Sequence, residues 1–353
     1  MPNNEDIKTI NMDFSILKHL TGLAGVSGRE QAVRAYVKEL LTPYADSIST
    51  DVMGNLIVYK KGTSDKNLLL CAHMDEVGLM VNFVDENGFL RFICVGGIDP
   101  RTLLAQRVRL QTKEGPVLGV IGTKPAHITT EADRAKAVGL KELFIDTGLP
   151  AYKVKELIPL GTTAVLDRPY EEFGKHKITA KSLDNRAGVF VLCELIKQLQ
   201  NPFYNVYGVF TTQEEVGLRG AVTAAYGIKA DVALSLDTTG AADIPACSPQ
   251  DYIICLGRGV GITVCDAYTI GNPQLVDALR EICEKNEISY QMRVASRGGN
   301  DAGAVHLSKT GVRTCALSLP TRNIHSNVEI VDKLDLENML ELALHVAQNE
   351  IIF

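Results

Sequence analysis

The feature that most constrains the fold is an alternation of apolar strand-like runs with amphipathic helical stretches, which stops in the middle of the chain and then returns. Before the interruption, strand-like runs occupy residues 55–59 and 67–71. After it, a helical stripe over residues 185–199 is followed by apolar runs at 206–211 and 232–236. Strands that alternate with helices predict a mostly parallel sheet covered on both faces.

The interruption extends from about Gly78 to Leu166. Helical periodicity nearly vanishes there, and short alternating runs such as residues 79–84 and 89–95 are separated by turn residues. A stretch of about 90 residues has the size of a small domain. We therefore expect a β-rich insert that interrupts an α/β domain, which makes two domains in a chain of 353 residues.

Two helix starts can be placed from local residue types. Ser27 and Glu30 have the spacing of a capping box. Asn272 followed by Pro273 has the residue types preferred at an N-cap and at the first helical position. We expect a helix to begin at each of these points.

Composition excludes several classes of partner. The net charge of -6 and the absence of long Lys/Arg blocks argue against nucleic acid. No apolar run approaches the roughly 18 residues that a membrane crossing needs, and the polar, acidic start at residues 1–6 predicts no signal peptide. The eight cysteines are scattered without a C-x-x-C pair, mostly within apolar patterns, as reduced core cysteines are. We therefore expect a cytoplasmic protein without a nucleic-acid or membrane partner.

Residues able to bind metal concentrate in five short segments, each just after a predicted strand or at a helix start: residues 72–78, 182–188, 212–217, 234–239 and 324–329. In open α/β sheets, ligands bind outside the carboxyl ends of the strands. The common placement of the five segments therefore predicts a single site.

The first two segments each have an ordinary structural explanation. His73 directly follows an apolar strand, and Asp75 two positions later could orient the imidazole of a zinc ligand. A buried histidine satisfied by a nearby acid explains this pair equally well. Asp184 opens a helix, where an N-cap aspartate is the commoner role, although its two oxygens could also bridge two cations.

The other three segments place acids and a histidine at strand ends. Glu214 and Glu215 are adjacent glutamates after a strand, and one could bind metal while the other takes a proton from the attacking water. Asp237 ends another strand, and His325 lies in a loop beyond a third. Two histidines and three carboxylates suit zinc, cobalt or manganese. Two divalent metal ions with one bridging carboxylate need about this many protein groups.

These segments, in this order, resemble the co-catalytic dinuclear metallo-aminopeptidases that include glutamyl aminopeptidases and the tetrahedral, self-compartmentalising (TET) aminopeptidases. The resemblance covers most of the chain and includes further short motifs: residues 25–28, 119–122, 144–148, 300–304 and 323–326. The chain departs from the family pattern at Asn327 and Ala126, where proline is common. Neither position carries a predicted ligand.

The resemblance implies a fold in which a doubly wound mixed sheet, with helices on both faces, is interrupted by a small β-barrel-like domain that takes part in assembly. The expected division is a catalytic domain at residues 1–75 and 170–353, with the inserted domain at residues 76–169. It further implies a homo-oligomer, in which dimers build up to a dodecamer.

The resemblance also implies a role for each site residue. His73 and Asp237 would bind one metal ion, and Glu215 and His325 the other. Asp184 would bridge the two ions. Glu214 would be the general base, and Asp75 would support His73.

These observations predict an aminopeptidase that removes N-terminal residues from short peptides with two divalent metal ions, zinc or cobalt first and manganese as a further possibility. A dinuclear deacylase of N-acyl amino acids or peptides would use the same machinery. A metal-stabilised assembly subunit without catalysis is a third interpretation. The preferred N-terminal residue, whether acidic, basic or apolar, is left open by the sequence.

Overall fold

The computed structural model of the chain describes residues 11–134 and 136–353. Residues 1–6, for which the sequence predicts no signal peptide, lie outside these ranges. Within them, no helix combines the length and the apolar character that a membrane crossing requires.

Helices are distributed along both parts of the α/β domain, with two short ones in the insert. In the described ranges they are α1 (Phe14–Gly22), α2 (Gln31–Leu41), α3 (Glu131–Arg134), α4 (Ala151–Leu157), α5 (Leu183–Gln198), α6 (Arg219–Gly227), α7 (Pro273–Asn286), α8 (Ala302–Val305) and α9 (Lys333–Gln348).

Strands form two sheets and a barrel. In chain order they are β1 (Ser47–Thr50), β2 (Leu56–Lys60), β3 (Asn67–His73), β4 (Gly78–Val84), β5 (Leu90–Val95), β6 (Arg107–Thr112), β7 (Gly115–Gly122), β8 (Phe144–Asp146), β9 (Thr163–Leu166), β10 (Glu171–Phe173), β11 (Lys177–Ala180), β12 (Asn205–Thr211), β13 (Val232–Gly240), β14 (Val260–Cys265), β15 (Tyr290–Val294), β16 (Arg313–Thr321) and β17 (Glu329–Asp332).

The large sheet has eight strands in the order β1-β2-β12-β3-β13-β16-β14-β15. Its centre is parallel, because β12, β13 and β16 all run with β3. The β1–β2, β2–β12 and β14–β16 pairs are antiparallel. The prediction of a mixed sheet is therefore confirmed. A smaller sheet, β10-β11-β17, lies beside it in the fold.

Helices cover both faces of the large sheet, as predicted. Successive side chains of a strand point to opposite faces, and on β3 Leu68 and Leu70 belong to one core while Leu69 and Cys71 belong to another. The first core lies under α1, α2, α5, α7 and α9, and the second under α6 and α8. Helix α5 is buried along nearly its whole length, which fixes the position of its first turn.

The insert folds as a closed barrel in the strand order β4-β5-β8-β7-β6-β9. All of its strand pairs are antiparallel. Alternate residues point inward, so that Val108 and Leu110 are fully buried while Arg107 and Arg109 point outward. The predicted barrel-like insert is therefore confirmed, and it leaves the sheet directly after β3.

One of the two predicted helix starts is correct. The Asn272 side chain accepts a hydrogen bond from the backbone N–H of Leu275 at the start of α7. The capping box at Ser27 and Glu30 is wrong, because α2 begins at Gln31 without a side-chain cap. The Ser27 hydroxyl instead donates to Asp75, 48 residues away.

Candidate metal centre

Sheet topology brings three of the five predicted segments together. His73 is the last residue of β3 and pairs in register with Thr211, the last residue of β12. Glu214 and Glu215 follow just beyond that point, and Asp237 lies in β13 on the other side of β3. Because these strands are parallel neighbours, their carboxyl ends meet at one edge of the sheet.

The imidazole of His73 lies among three carboxylates. Its Nε2 atom is 3.2 Å from Oδ1 of Asp184, 3.5 Å from Oδ1 of Asp237 and 3.8 Å from Oε2 of Glu214. His73, Asp184 and Asp237 are all buried. Four groups from separate segments thus converge on one point.

His325 forms the other side of the cluster. Its Nε2 atom is 3.1 Å from Oδ2 of Asp184 and 3.4 Å from Oε2 of Glu215. Its Nδ1 atom lies 2.8 Å from the carbonyl oxygen of Gly97, a residue of the insert. The two oxygens of Asp184 therefore face two different histidines.

Asp184 is not the N-cap of α5. Asp184 and Asn185 have non-helical backbone angles, and the peptide bond between them is cis. The Asn185 Oδ1 atom accepts the backbone N–H of Gly188, which is the capping contact, and its amide nitrogen donates to the Leu236 carbonyl. The neighbour thus satisfies the helix terminus, and the Asp184 carboxylate is left facing the cluster.

Asp75 ties the strand ends together behind His73. Its Oδ1 atom is 3.4 Å from Nδ1 of the His73 ring, although the backbone carbonyl of Asp75 is closer to that nitrogen, at 3.1 Å. The Asp75 carboxylate also accepts the backbone N–H groups of Glu214 and Glu215, at 3.0 and 3.2 Å. A carboxylate placed in this way fixes the ring and the glutamate segment at once.

Glu329 is a site residue that the sequence did not predict as one. It is buried, its Oε2 atom accepts the backbone N–H of Asp184 at 2.9 Å, and its Oε1 atom accepts the backbone N–H of His325 at 2.8 Å. His325 has a φ of 61°, so its backbone adopts a conformation that needs such support. Glu329 therefore holds the two segments that carry Asp184 and His325.

Electrostatics show how strongly negative charge is concentrated here. Burial, reinforced by the Asp184 carboxylate, raises the pKa of Glu215 to about 8. Burial also raises the pKa values of Glu214 and Asp237. Burial acts to lower the pKa of His325, but its hydrogen bond to Asp184 and the charge of Glu215 raise it to about 10. Buried carboxylates that crowd together in this way favour the binding of divalent cations, which offset their mutual repulsion.

The donor set fits metal ions. His73, Glu214 and Asp237 offer ligand atoms that lie within 4.8 Å of one another, and so do His73, Asp184 and Glu215. The buried Oε1 atom of Glu215 has no hydrogen-bond partner among the described residues. Imidazole and carboxylate donors together suit zinc and similar divalent metals.

A cavity of about 560 Å³ opens beside the cluster. His73, Asp184 and Glu214 form part of its wall, and Tyr268 and Ile253 contribute aromatic and apolar surface. Its volume is in the range of cavities that take small ligands.

A doubly wound sheet with a barrel insert, and a histidine–carboxylate cluster at the carboxyl ends of its strands, are features of metal-dependent enzymes that hydrolyse amide bonds. The chain belongs to the M42 glutamyl aminopeptidase family, whose sequence profile matches residues 54–342.

Relatives match the chain over nearly its whole length. A solved aminopeptidase from the archaeon Desulfurococcus kamchatkensis is 40% identical with a TM-score of 0.92, and the match covers 96% of this chain and 95% of that one. The Pyrococcus horikoshii TET1 peptidase, described as assembling into a tetrahedron or a large octahedral shell, is 33% identical with a TM-score of 0.87 and coverage of 96% and 99%. A lysyl aminopeptidase of Pyrococcus furiosus is 33% identical over 94% of this chain and 96% of its own length.

Proposed function

We propose that this aminopeptidase removes N-terminal residues from short peptides with two divalent metal ions held by His73, Asp184, Glu215, Asp237 and His325. The observation that carries the proposal is the position of Asp184, whose two oxygens lie 3.2 and 3.1 Å from Nε2 of the two histidines. One carboxylate that faces two imidazoles is the arrangement that a bridging ligand requires. Zinc or cobalt is the expected metal, and manganese suits the same donors.

The distances support one division of the ligands. Asp237 lies beside His73, at 3.5 Å, and Glu215 lies beside His325, at 3.4 Å. We assign one metal ion to each pair, with Asp184 shared between them. When bound, such ions polarise the scissile carbonyl and lower the pKa of water.

Glu214 is the proposed general base. Its Oε2 atom lies 3.8 Å from Nε2 of His73, farther than the carboxylates of Asp184 and Asp237, at 3.2 and 3.5 Å. Burial raises the pKa of its carboxyl group well above the ordinary value, and nearby cations would lower it again. In the proposed mechanism, Glu214 takes a proton from the attacking water and delivers it to the leaving amine.

Asp75 is proposed to orient His73 rather than to touch the substrate. Its carboxylate contacts the ring side opposite Nε2 and also fixes the backbone of Glu214. Asp75 thereby holds both His73, a proposed metal ligand, and Glu214, the proposed general base.

The oligomer, the domain division and the cellular location are also proposals. The TET1 relative forms large closed assemblies, and we propose that this chain forms a homo-oligomer of dimers through the insert at residues 76–169, between catalytic parts at residues 1–75 and 170–353. All eight cysteines are free, as is usual in the cytoplasm, where we place the protein.

A substrate panel tests the function. Aminoacyl chromogenic substrates with acidic, basic and apolar residues are compared with N-acyl amino acids, using protein reloaded with zinc, cobalt or manganese. We expect hydrolysis of substrates with a free N-terminal amine. Hydrolysis restricted to N-acyl substrates would replace the proposal with a deacylase, and metal-dependent thermal stability without any hydrolysis would indicate a non-catalytic subunit.

A further inference from the structure

A second cleft, larger than the cavity at the metal centre, lies between the loop that joins α1 to α2 and the barrel strands β6 and β9. Its volume is about 960 Å³, and it shares no lining residue with the cavity beside His73. A cleft of this size can enclose most of a small organic ligand. Nothing in the peptidase mechanism uses it.

The lining of this cleft is strongly cationic. Its charged residues are Arg29, Arg107, Arg109, Arg168, Lys181 and Asp167, five cations against one acid. The whole chain carries a net charge of -6, so positive charge is segregated here against the overall balance. A lining of one sign concentrates ions of the opposite sign.

Arg107 and Arg109 share a single counter-ion. Nη2 of Arg107 lies 2.9 Å from Oδ2 of Asp167, and Nε of Arg109 lies 2.9 Å from its Oδ1. A guanidinium has five N–H donors, so these contacts leave most donors of both arginines available. Both side chains are partly exposed, at 58% and 42%, and both point from the same face of β6.

The other arginines are even less neutralised. Arg29 donates to the carbonyl oxygen of Gly28, and within the described part of the chain no carboxylate lies within 4 Å of its guanidinium. Arg168 has only a long contact of 3.8 Å to Glu171. Lys181, by contrast, is buried and paired with Glu76 at 2.8 Å, so it contributes to the wall rather than to free binding capacity.

We infer that this cleft binds a small polyvalent oxyanion, a molecule that carries two or more phosphate or carboxylate groups. Arginine forks match both groups by paired hydrogen bonds. The cleft shares no lining residue with the cavity beside the metal centre, so it is a separate site rather than part of that cavity.

Calorimetric titration of the metal-loaded protein tests the inference, and it requires no peptidase activity. The probes are glucose 1,6-bisphosphate and propane-1,2,3-tricarboxylate at constant ionic strength, with glucose as the neutral comparison. We expect saturable binding of at least one anion, with one site per subunit, and none of glucose. The tighter probe identifies phosphate or carboxylate as the recognised group.

Variants locate the site. The double substitution Arg107→Ala with Arg109→Ala should weaken binding about tenfold or more, because charge-assisted hydrogen bonds are lost. The control variant carries Arg101→Ala with Arg280→Ala, which remove two exposed arginines outside the cleft. It should bind the anion as the wild type does. If the first pair does not fold, Arg29→Ala is the substitute, because among the described residues its guanidinium hydrogen-bonds to the Gly28 carbonyl oxygen and to no carboxylate.

Three results would overturn the inference. The first is the absence of saturable binding by either anion. The second is binding that survives the Arg107/Arg109 substitutions but disappears on chelation, which would place the anion on the metal ions. The third is a change of oligomeric size in light scattering on the same substitutions without any anion binding, which would make the cleft a contact between subunits.

Discussion

The hydroxyl of Ser27 donates a 2.6 Å hydrogen bond to Oδ2 of Asp75. Both residues are buried, and the same carboxylate also accepts the backbone N–H groups of Glu214 and Glu215. The loop after α1 is thereby joined to two of the segments that carry the metal centre. Asp75 has no free orientation, because donors reach it from three directions.

Ser27→Ala should therefore reduce activity without removing a ligand. The substitution leaves Asp75 with the two backbone donors of Glu214 and Glu215, so its orientation beside His73 is less firmly fixed. Changes of this kind around a metal ligand typically cost about 10- to 100-fold in activity or metal affinity. Steady-state kinetics with metal titration would measure it, and Ser47→Ala on the exposed edge strand β1 is the control. Wild-type kinetics for Ser27→Ala would show that this bond does not position the site.

Glu214→Gln should abolish turnover while metal content stays intact. The amide keeps the size of the side chain but cannot accept the proton, and general-base catalysis contributes about 10²- to 10⁴-fold. Turnover and metal stoichiometry are measured on the same preparation, with Glu156→Gln on the surface of α4 as the control. A variant with near-wild-type turnover would remove Glu214 from the base role.

Asp184→Asn and His325→Ala should differ in metal stoichiometry. Asp184 faces both histidines, so its substitution should weaken the binding of both metal ions. Loss of His325 should instead remove about one ion of the two. Elemental analysis after gel filtration would measure the retained metal, with Asp277→Asn on α7 as a charge-matched control. Equal losses from Asp184→Asn and His325→Ala would contradict the shared position of Asp184.

Gly188→Ala should destabilise the protein, although alanine normally favours a helix. An added methyl group would lie 2.3 Å from Oδ1 of Asn185 and 2.4 Å from the Leu236 carbonyl oxygen, so α5 could not keep its distance from β13. Gly227→Ala at the end of α6 meets nothing within 4 Å and is the matched control. Thermal unfolding should show a lower melting temperature for Gly188→Ala only. Equal melting temperatures for the two variants would contradict the close approach of α5 to β13.

Asp243→Asn should lower stability in a pH-dependent way. Partial burial acts to raise the pKa of Asp243, but hydrogen bonds from the Arg322 guanidinium, at 2.8 and 2.6 Å, hold it below the ordinary value of 3.8. A carboxyl group whose pKa is lower in the folded than in the unfolded state stabilises the protein at pH values above the ordinary pKa of 3.8. This contribution disappears as the pH falls through the pKa of the folded state. The difference in melting temperature from the wild type should be on the order of 1–3 °C near pH 7 and vanish at lower pH. A difference that grows on acidification would reverse the assignment.

The elements that the sequence predicted well are those whose pattern is local. Strands β3 and β12 are long apolar runs, and helix α5 has a long apolar stripe. Their bounds differ from the predicted ones by only one or two residues. Helix α1 was not anticipated, although Ile16, Leu17 and Leu20 have helical spacing and are buried. The helix has only nine residues, fewer than the roughly 11–18 over which helical periodicity can be recognised.

The parts of the site that escaped prediction depend on contacts across the fold. Ser27 has the spacing of a local cap, but its partner is Asp75, and only the folded chain brings the two together. Glu329 looks like an ordinary acid at the start of a strand, yet it holds Asp184 and His325 by their backbone N–H groups. Asn185 takes over the capping contact that the sequence suggested for Asp184. No spacing rule within one segment contains such relationships.

The order of these segments in the chain has a consequence for chains that end early. His325 follows every strand of the eight-stranded sheet and all of the barrel. A chain cut short just before His325 would therefore contain every strand of both and still lack the imidazole on one side of the centre. If the proposed mechanism holds, such a shortened chain does not hydrolyse peptides, because one of the two proposed metal ions has lost a ligand.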